Sequence, residues 1–388
     1  MFSHFKRNLS SVSAICRPSQ ADGPRLSAGR ARPDSDGKWH LPMTSFVAMF
    51  LTLFTPVLVF AHEVYVLDKA TILHDILSSS PNPFSQIAED PQLFIFWGII
   101  GIILVTTVFA MSISHWFETI FSPFLNRLKP YAAPIARVTL GVCLIASAYN
   151  FALFGPELPL TDFGAIAVPI QLALYISGIL CLVGLWTRVA GLLALTIFLV
   201  GVAQYNFYMF TYANYLGEIL FSIILGSGLF SLDRMFSIQS NFLPTLQKII
   251  EPLAFPILRL LFGMSVAFAS YFAKFTHSQL ALDVVHEYHL TNFFHFEPLF
   301  IVLGACIVEI LIGIFIAFGF EIRHTALFFL FWIFLSLLYF GESVWPHLVL
   351  VGVLLSLFCQ GSDRYSVDGY VYRYIAARRK NLSLSHNK

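Results

Sequence analysis

From residue 93 onward the polar positions come in short clusters, and long apolar stretches fill the space between them. Nine such runs stand out, at 93–113, 132–154, 164–186, 189–210, 214–231, 254–274, 298–320, 324–341 and 343–360. None alternates apolar with polar positions, so strands of a membrane barrel, whose lumen needs a polar residue at every second position, are excluded. Each run is long enough, with some tilt, to cross a hydrocarbon layer of about 30 Å as a helix. A helix also satisfies its own backbone donors and acceptors where no water can. The pattern predicts an all-α polytopic membrane bundle of about nine transmembrane helices.

Composition agrees. Of 388 residues 57% are hydrophobic and only 12% charged, with a mean hydropathy of +0.75. A soluble domain carries about 25% charged residues, so a soluble enzyme is excluded. A formal charge of +1 gives no concentrated basic face for a nucleic acid. The expected partner is the lipid bilayer.

Ahead of the first run, residues 1–42 are polar, rich in Ser, Pro and basic side chains, and are expected to be disordered. They read either as a targeting peptide or as sequence upstream of a true start at Met43. Residues 43–61 look like a signal peptide: a short apolar stretch ends at Val59-Phe60-Ala61, with small residues where signal peptidase needs them. An uncleaved anchor is the alternative. Residues 62–92 then form a short outer-face segment, 93–113 a leading transmembrane helix, and 365–388 a basic tail suited to the anionic inner leaflet. With 62–92 outside, fourteen of the sixteen Lys and Arg from residue 62 onward fall on the inner side, Lys69 and Lys274 being the exceptions. The positive-inside rule thus predicts an N-terminal segment outside, a cytoplasmic C-terminus and insertion in the cell inner membrane.

The chain also repeats itself. Pro134-Ile135-Ala136-Arg137-Val138-Thr139-Leu140-Gly141 returns as Pro256-Ile257-Leu258-Arg259-Leu260-Leu261-Phe262-Gly263, a spacing of 122. Gly178, Gly184 and Arg188 return as Gly313, Gly319 and Arg323, a spacing of 135, the second copy having the longer outer loop. Asp-Arg closes each copy, at Asp233-Arg234 and Asp363-Arg364. Residues 131–234 and 253–364 are read as tandem four-helix repeats. An even number of spans makes them parallel, related by an axis along the membrane normal.

These residues carry a family resemblance. An Arg-x-x-x-Gly in a first helix, a Lys at its outer end, an acid then glycines in a second helix and a basic residue at the next turn resemble the DoxX/DoxD-like integral membrane family. The second copy has the whole pattern: Arg259, Gly263, Lys274, Glu309, Gly313, Gly319 and Arg323. The first keeps Arg137, Gly141, Gly178, Gly184 and Arg188. It departs where Leu174 stands for Glu309 and where Asn150 or Ala152 stands near the place of Lys274. The resemblance implies a four-helix membrane unit, a family site intact only in the second copy, and quinone reduction with thiosulfate or another small sulfur or thiol donor.

Read residue by residue, Glu309 lies mid-span, where an acid is costly to bury and points to function. It suits carrying a proton, binding a polar head group or meeting a cation. A helix contact satisfied by a hydroxyl is the structural alternative. Lys274 at an outer helix end suits attraction of an anion. Arg137 and Arg259 suit snorkelling to the inner surface, or pairing with a carboxylate such as Glu251 or Asp363. The outer loop gathers His277, His286, His289 and His295 with Asp283, Glu287 and Glu297, and His347 and Glu342 are expected on the same side. His286, His289 and His295 are the metal-ligand candidates, although no recognised metal spacing is matched. A proton-handling lid and an amphipathic interfacial segment are the alternatives. A chain beginning at His62 would offer copper an amine and a ring, with His74 or Glu63 as further ligand. Four of the five Cys lie in apolar runs and read as small core residues.

Together with the resemblance, these residues predict a quinone-linked redox component accepting electrons from a small sulfur or thiol donor. Glu309 would handle protons, Lys274 attract the anion and Arg259 serve as the pocket's cation. No flavin, haem or iron–sulfur motif is present in the sequence, so electrons would pass directly to quinone or arrive from a partner redox subunit. A proton- or metal-coupled transporter and a non-catalytic scaffold subunit are the alternatives.

Overall fold

The computed structural model describes residues 80–84, scattered positions between 95 and 118, and then 120–238, 244–341, 344–374 and 378, all within the unit Leu58–Lys388. The segments expected at 1–42 and 43–61, most of 62–92 and of the leading helix 93–113, and residues His62 and His74 lie outside the described residues. The described residues are helical, with no strand beyond an isolated bridge between Ala152 and Pro159.

Four helices come first: α1 (Ala132–Tyr149), α2 (Ala167–Val183), α3 (Thr187–Tyr205) and α4 (Ala213–Leu225). Then follow α5 (Ala254–Ser270), a short α6 (Ser278–Glu287), α7 (Pro298–Phe318), α8 (Ile322–Phe340) and α9 (Val344–Gln360). Six stretches are long and apolar enough to cross a membrane: Ile120–Tyr149, Leu160–Val183, Thr187–Leu225, Gln247–Thr276, Pro298–Phe318 and Ile322–Phe340. The chain is accordingly a multi-pass membrane protein. Thr187–Leu225 is not one rod: Asn206, at φ 50°, breaks it, and its arms α3 and α4 pack on each other.

Helix ends fall short of the apolar runs wherever the backbone turns. The run 132–154 is helical only to Tyr149, because Phe151 takes a positive φ and the Leu153 N–H turns to the Leu158 carbonyl. The run 214–231 stops at Leu225, ahead of Gly226 at φ 73°. Hydropathy continues through both turns because it does not sense backbone reversal.

Packing is set by close backbone approach. In lipid, apolar side chains gain little by leaving acyl chains for one another, so small residues that let backbones touch decide the helix pairs. Helices α1 and α2 cross at Gly141 and Gly178, where an added Cβ on either would sit 2.8 Å from the other's carbonyl oxygen. Helices α5 and α7 cross in the same way at Gly263 and Gly313. The two sets of helices then meet crosswise, α1 against α9 and α4 against α5. Gly352 of α9 receives Thr139 of α1, and Gly217 of α4 receives Leu258 and Leu261 of α5.

One end of the bundle is organised by arginines. The Arg137 guanidinium donates to the carbonyls of Ser227 and Phe230, the latter at 2.9 Å. Arg259 donates to Asp363 Oδ2 at 2.6 Å and to the carbonyls of Ala317 and Tyr365, both at 3.1 Å. Arg323 donates to Glu118 at 2.8 Å and to the Phe358 carbonyl at 2.9 Å. Gly184 and Gly319, both at φ 69°, close α2 and α7 in the left-handed conformation that glycine adopts without strain. Asp233 then accepts the Trp186 N–H at 2.9 Å, and Asp368 accepts the Glu321 and Ile322 N–H groups at 2.9 and 3.1 Å. Each carboxylate thus caps the start of the following helix, α3 or α8. By this geometry the counterpart of Asp233 is Asp368, whereas Asp363 is taken up by Arg259.

Two outcomes follow. Gly263→Ala overlaps the Gly313 backbone and is expected to cost at least about 1–3 kcal/mol. Gly304→Ala faces open space and is expected to cost nothing, or to gain up to about 1 kcal/mol from helix propensity. Thermal unfolding in mild detergent compares the two. Burial also pushes the Asp368 carboxyl up from 3.8 to about 6, against the opposing pull of its two N–H donors. The folded state therefore holds this proton more tightly than the unfolded chain, and the stability it contributes, complete below pH 3.8, is lost as pH rises through about 6. Asp368→Asn is expected to flatten that part of a Tm-versus-pH curve.

Candidate functional site

At the end of the bundle away from the arginines, α4 to α9 line a partly open cavity of about 490 Å³. This volume lies within the span of small-molecule sites, roughly 300–1,000 Å³. Its walls are mostly apolar and aromatic, with Phe272, Phe329, Trp332, Tyr339 and Phe340 prominent. Tyr339 is held in place by donation to the Tyr288 carbonyl at 3.0 Å.

Lys274 and Glu309 line this cavity together, with Nζ and Oε2 2.9 Å apart and both side chains nearly buried. Local structure explains the meeting. Beyond Ser270, α5 loosens into a π-helical turn, Tyr271–Thr276, which carries Lys274; such turns recur at functional sites. Ser270 donates to the Cys306 carbonyl of α7 at 3.3 Å, bringing the helices level at that point. Helical side chains lean toward their own N-terminus. In an antiparallel pair, Lys274 and Glu309 lean toward each other from opposite sides of that contact. Glu309 thus makes an ion pair with Lys274.

A second polar group lines the same cavity from the first set of helices. Glu157 sits in the tight turn between α1 and α2, which the Ala152–Pro159 bridge closes. Its Oε1 accepts from the Tyr208 hydroxyl at 3.3 Å and from the Tyr212 hydroxyl. Also in the lining, Ser265 donates to Asn214 Oδ1 at 3.2 Å. His347 of α9, only 4% exposed, completes the polar lining.

The remaining sequence candidates are dispersed. Arg259 does not line this cavity; it is at the arginine end, on Asp363, so the place expected for it as the pocket's cation is corrected. An ion pair and two carbonyls satisfy it there. His286, His289 and His295 are exposed, and among the described residues no group of three or more His, Cys, Asp or Glu side chains is placed to hold a metal ion. Helix α6 explains this: Ala281, Leu282 and Val285 pack against Leu299 and Val302 of α7, which turns His286 and Glu287 outward. Glu342 lies outside the described residues. Cys143, Cys181, Cys306 and Cys359 are buried among the helices, and none is in a disulfide among the described residues.

Sequence reading missed two acids. Glu157 gave no signal, being one polar residue in a loop that only folding brings to the cavity. Glu218 was visible on the same grounds as Glu309, as an acid within an apolar run. It is fully buried where α4 meets α1, with the Thr139 hydroxyl 3.4 Å from Oε1. Its Oε2 has no hydrogen-bond partner among the described residues.

No protein-family model, curated protein or solved structure matches this chain.

Removing one member of the Lys274–Glu309 pair strands a buried charge. Lys274→Met and Glu309→Gln are each expected to cost about 3–5 kcal/mol, and the double variant less than the sum. A double-mutant cycle on unfolding in detergent measures the coupling.

Proposed function

We propose that the cavity binds the head group of a membrane quinone, and that the protein is a DoxX-like quinone-linked redox component. In this reading it has nine spans, two tandem four-helix repeats and the arginine end in the cytoplasm. The observation that carries the reading is the Lys274–Glu309 ion pair set in the wall of an aromatic, largely apolar cavity. Apolar walls suit a ring and its isoprenoid chain, while the pair offers a donor and an acceptor to a ring oxygen. The reaction class is oxidation of two thiols to a disulfide, with their two electrons and two protons reducing quinone to quinol. Lys274 stabilises negative charge growing on the ring oxygen, and Glu309 delivers or receives the proton. Arg259 has no part in binding and serves to hold the helix ends together.

A second reading has one observation in its favour. The cavity is shared by both sets of helices and holds a carboxylate from each, an arrangement suited to proton-coupled transport.

Quinone extracted from protein purified in mild detergent decides between them. Near-stoichiometric quinone in the wild type and its loss in Glu309→Gln are the expected result. Its absence from both proteins would defeat the redox reading. Solute uptake that requires Glu309 without bound quinone would favour transport. A Glu309→Gln variant changed in stability alone would favour a scaffold.

A further inference from the structure

We infer that Glu218 is a proton-carrying site inside the bundle, set between the cavity and the arginine end, and that its proton is exchanged through the buried hydroxyls of Ser222 and Ser356. This role holds whatever fills the cavity. Glu218 is fully buried on α4, and among the described residues it meets no cation. An ionised carboxylate in such a place is costly without a counter-charge. The titratable groups within reach of its charge are Cys143 of α1, Cys181 of α2 and Tyr215 of its own helix, none of them cationic. The other elements packed on α4 are α3, α5, α9 and the turn Asn206–Tyr212, and none places a titratable group against Glu218 among the described residues.

The one hydroxyl beside it points the same way. Thr139 Oγ1 is 3.4 Å from Glu218 Oε1, but it is 2.9 Å from the Ile135 carbonyl and 3.0 Å from that of Ala136. A hydroxyl has a single hydrogen, and the two carbonyls hold it at shorter range. Thr139 therefore turns its lone pairs to Glu218, a contact that is favourable when the carboxyl carries the hydrogen and donates it. Glu218 lies one turn, roughly 6 Å along the helix, below Asn214, which lines the cavity. Ser222 follows one turn further toward the arginine end. Asn214, Glu218 and Ser222 thus share one face of α4, each at most 4% exposed. On α9, Gly352 abuts Thr139, and Ser356 follows it by one turn in the same direction. Glu218 Oε2 and the Ser222 and Ser356 hydroxyls are all buried with no hydrogen-bond partner among the described residues. Three such atoms on helices that meet at Thr139 mark a polar interior of the kind bridged by internal water. Each hydroxyl can accept one hydrogen bond while donating another, which is what passing a proton along requires.

The test is infrared difference spectroscopy on the full chain in mild detergent at neutral pH, wild type minus Glu218→Gln. The wild type is expected to show the carbonyl stretch of a neutral carboxyl that the variant lacks. In heavy water that band is expected to shift while the protein stays folded. Glu218→Asp is expected to move the band rather than abolish it, and it carries the assignment if Glu218→Gln does not fold. Ser222→Ala combined with Ser356→Ala is expected to slow the deuterium shift at least about tenfold, the effect of one hydrogen bond lost from the chain. Absence of the band from the wild type means an ionised Glu218 and overturns the proton site. A band that shifts only when the protein unfolds makes the carboxyl a sealed structural group and overturns it as well. An unchanged rate in the serine variant overturns the hydroxyl route. Loss of the band when sodium replaces choline at constant pH makes Glu218 a metal-cation site and overturns the proton site.

Discussion

Close backbone contact between helices is the constraint on which the rest of this bundle depends. Lipid solvates leucine and phenylalanine as well as a protein interior does, so apolar faces cannot choose their neighbours by hydrophobicity alone. Gly141 against Gly178 and Gly263 against Gly313 remove the side chains at two crossings and let the backbones touch. The second crossing brings Ser270 level with Cys306, and this in turn sets where Lys274 and Glu309 meet. The cavity takes its shape from helices pinned at these points.

The arginine end does the complementary work. Helix ends leave carbonyls and N–H groups without intrahelical partners, and a bundle in lipid has little water to spare for them. Arg137, Arg259 and Arg323 take the carbonyls, while Asp233 and Asp368 take the N–H groups. A charge used in this way is committed to structure. That is why Arg259, with the same composition signal as a site residue, lies apart from the cavity.

Polar groups in the cavity have the opposite character. Lys274 is buried, and Glu309 and Glu157 are partly buried, at a cost that no helix end required, beside a volume large enough for a small ring. Natural bundles keep such groups where chemistry or recognition needs them. Glu218 belongs to a third case, since it is buried where α4 meets α1, with one hydroxyl beside it.

Much of this was legible in order along the chain. Apolar run length sets which segments are helical, because a membrane-crossing helix needs only local composition and its own hydrogen bonds. Glycines and arginines recurred in the sequence at matching spacing, and the fold puts Gly141, Gly178, Gly263 and Gly313 at helix crossings; Glu309 and Lys274 stood out by charge in apolar surroundings. Other features depended on approach in three dimensions. The sequence offered Arg259 as a pocket's cation or as the partner of a carboxylate such as Asp363, and Lys274 as a group to attract an anion; the fold pairs Arg259 with Asp363 and Lys274 with Glu309. The histidines of 277–295 were a cluster in sequence, but among the described residues no three such side chains are placed to hold a metal ion, and α6 spends its apolar face on α7, leaving His286 exposed. Glu157 and His347, 190 residues apart, share a cavity for a reason no local pattern contains: α4 and α9 come together around α5, and side chains distant in the chain meet only when backbones do.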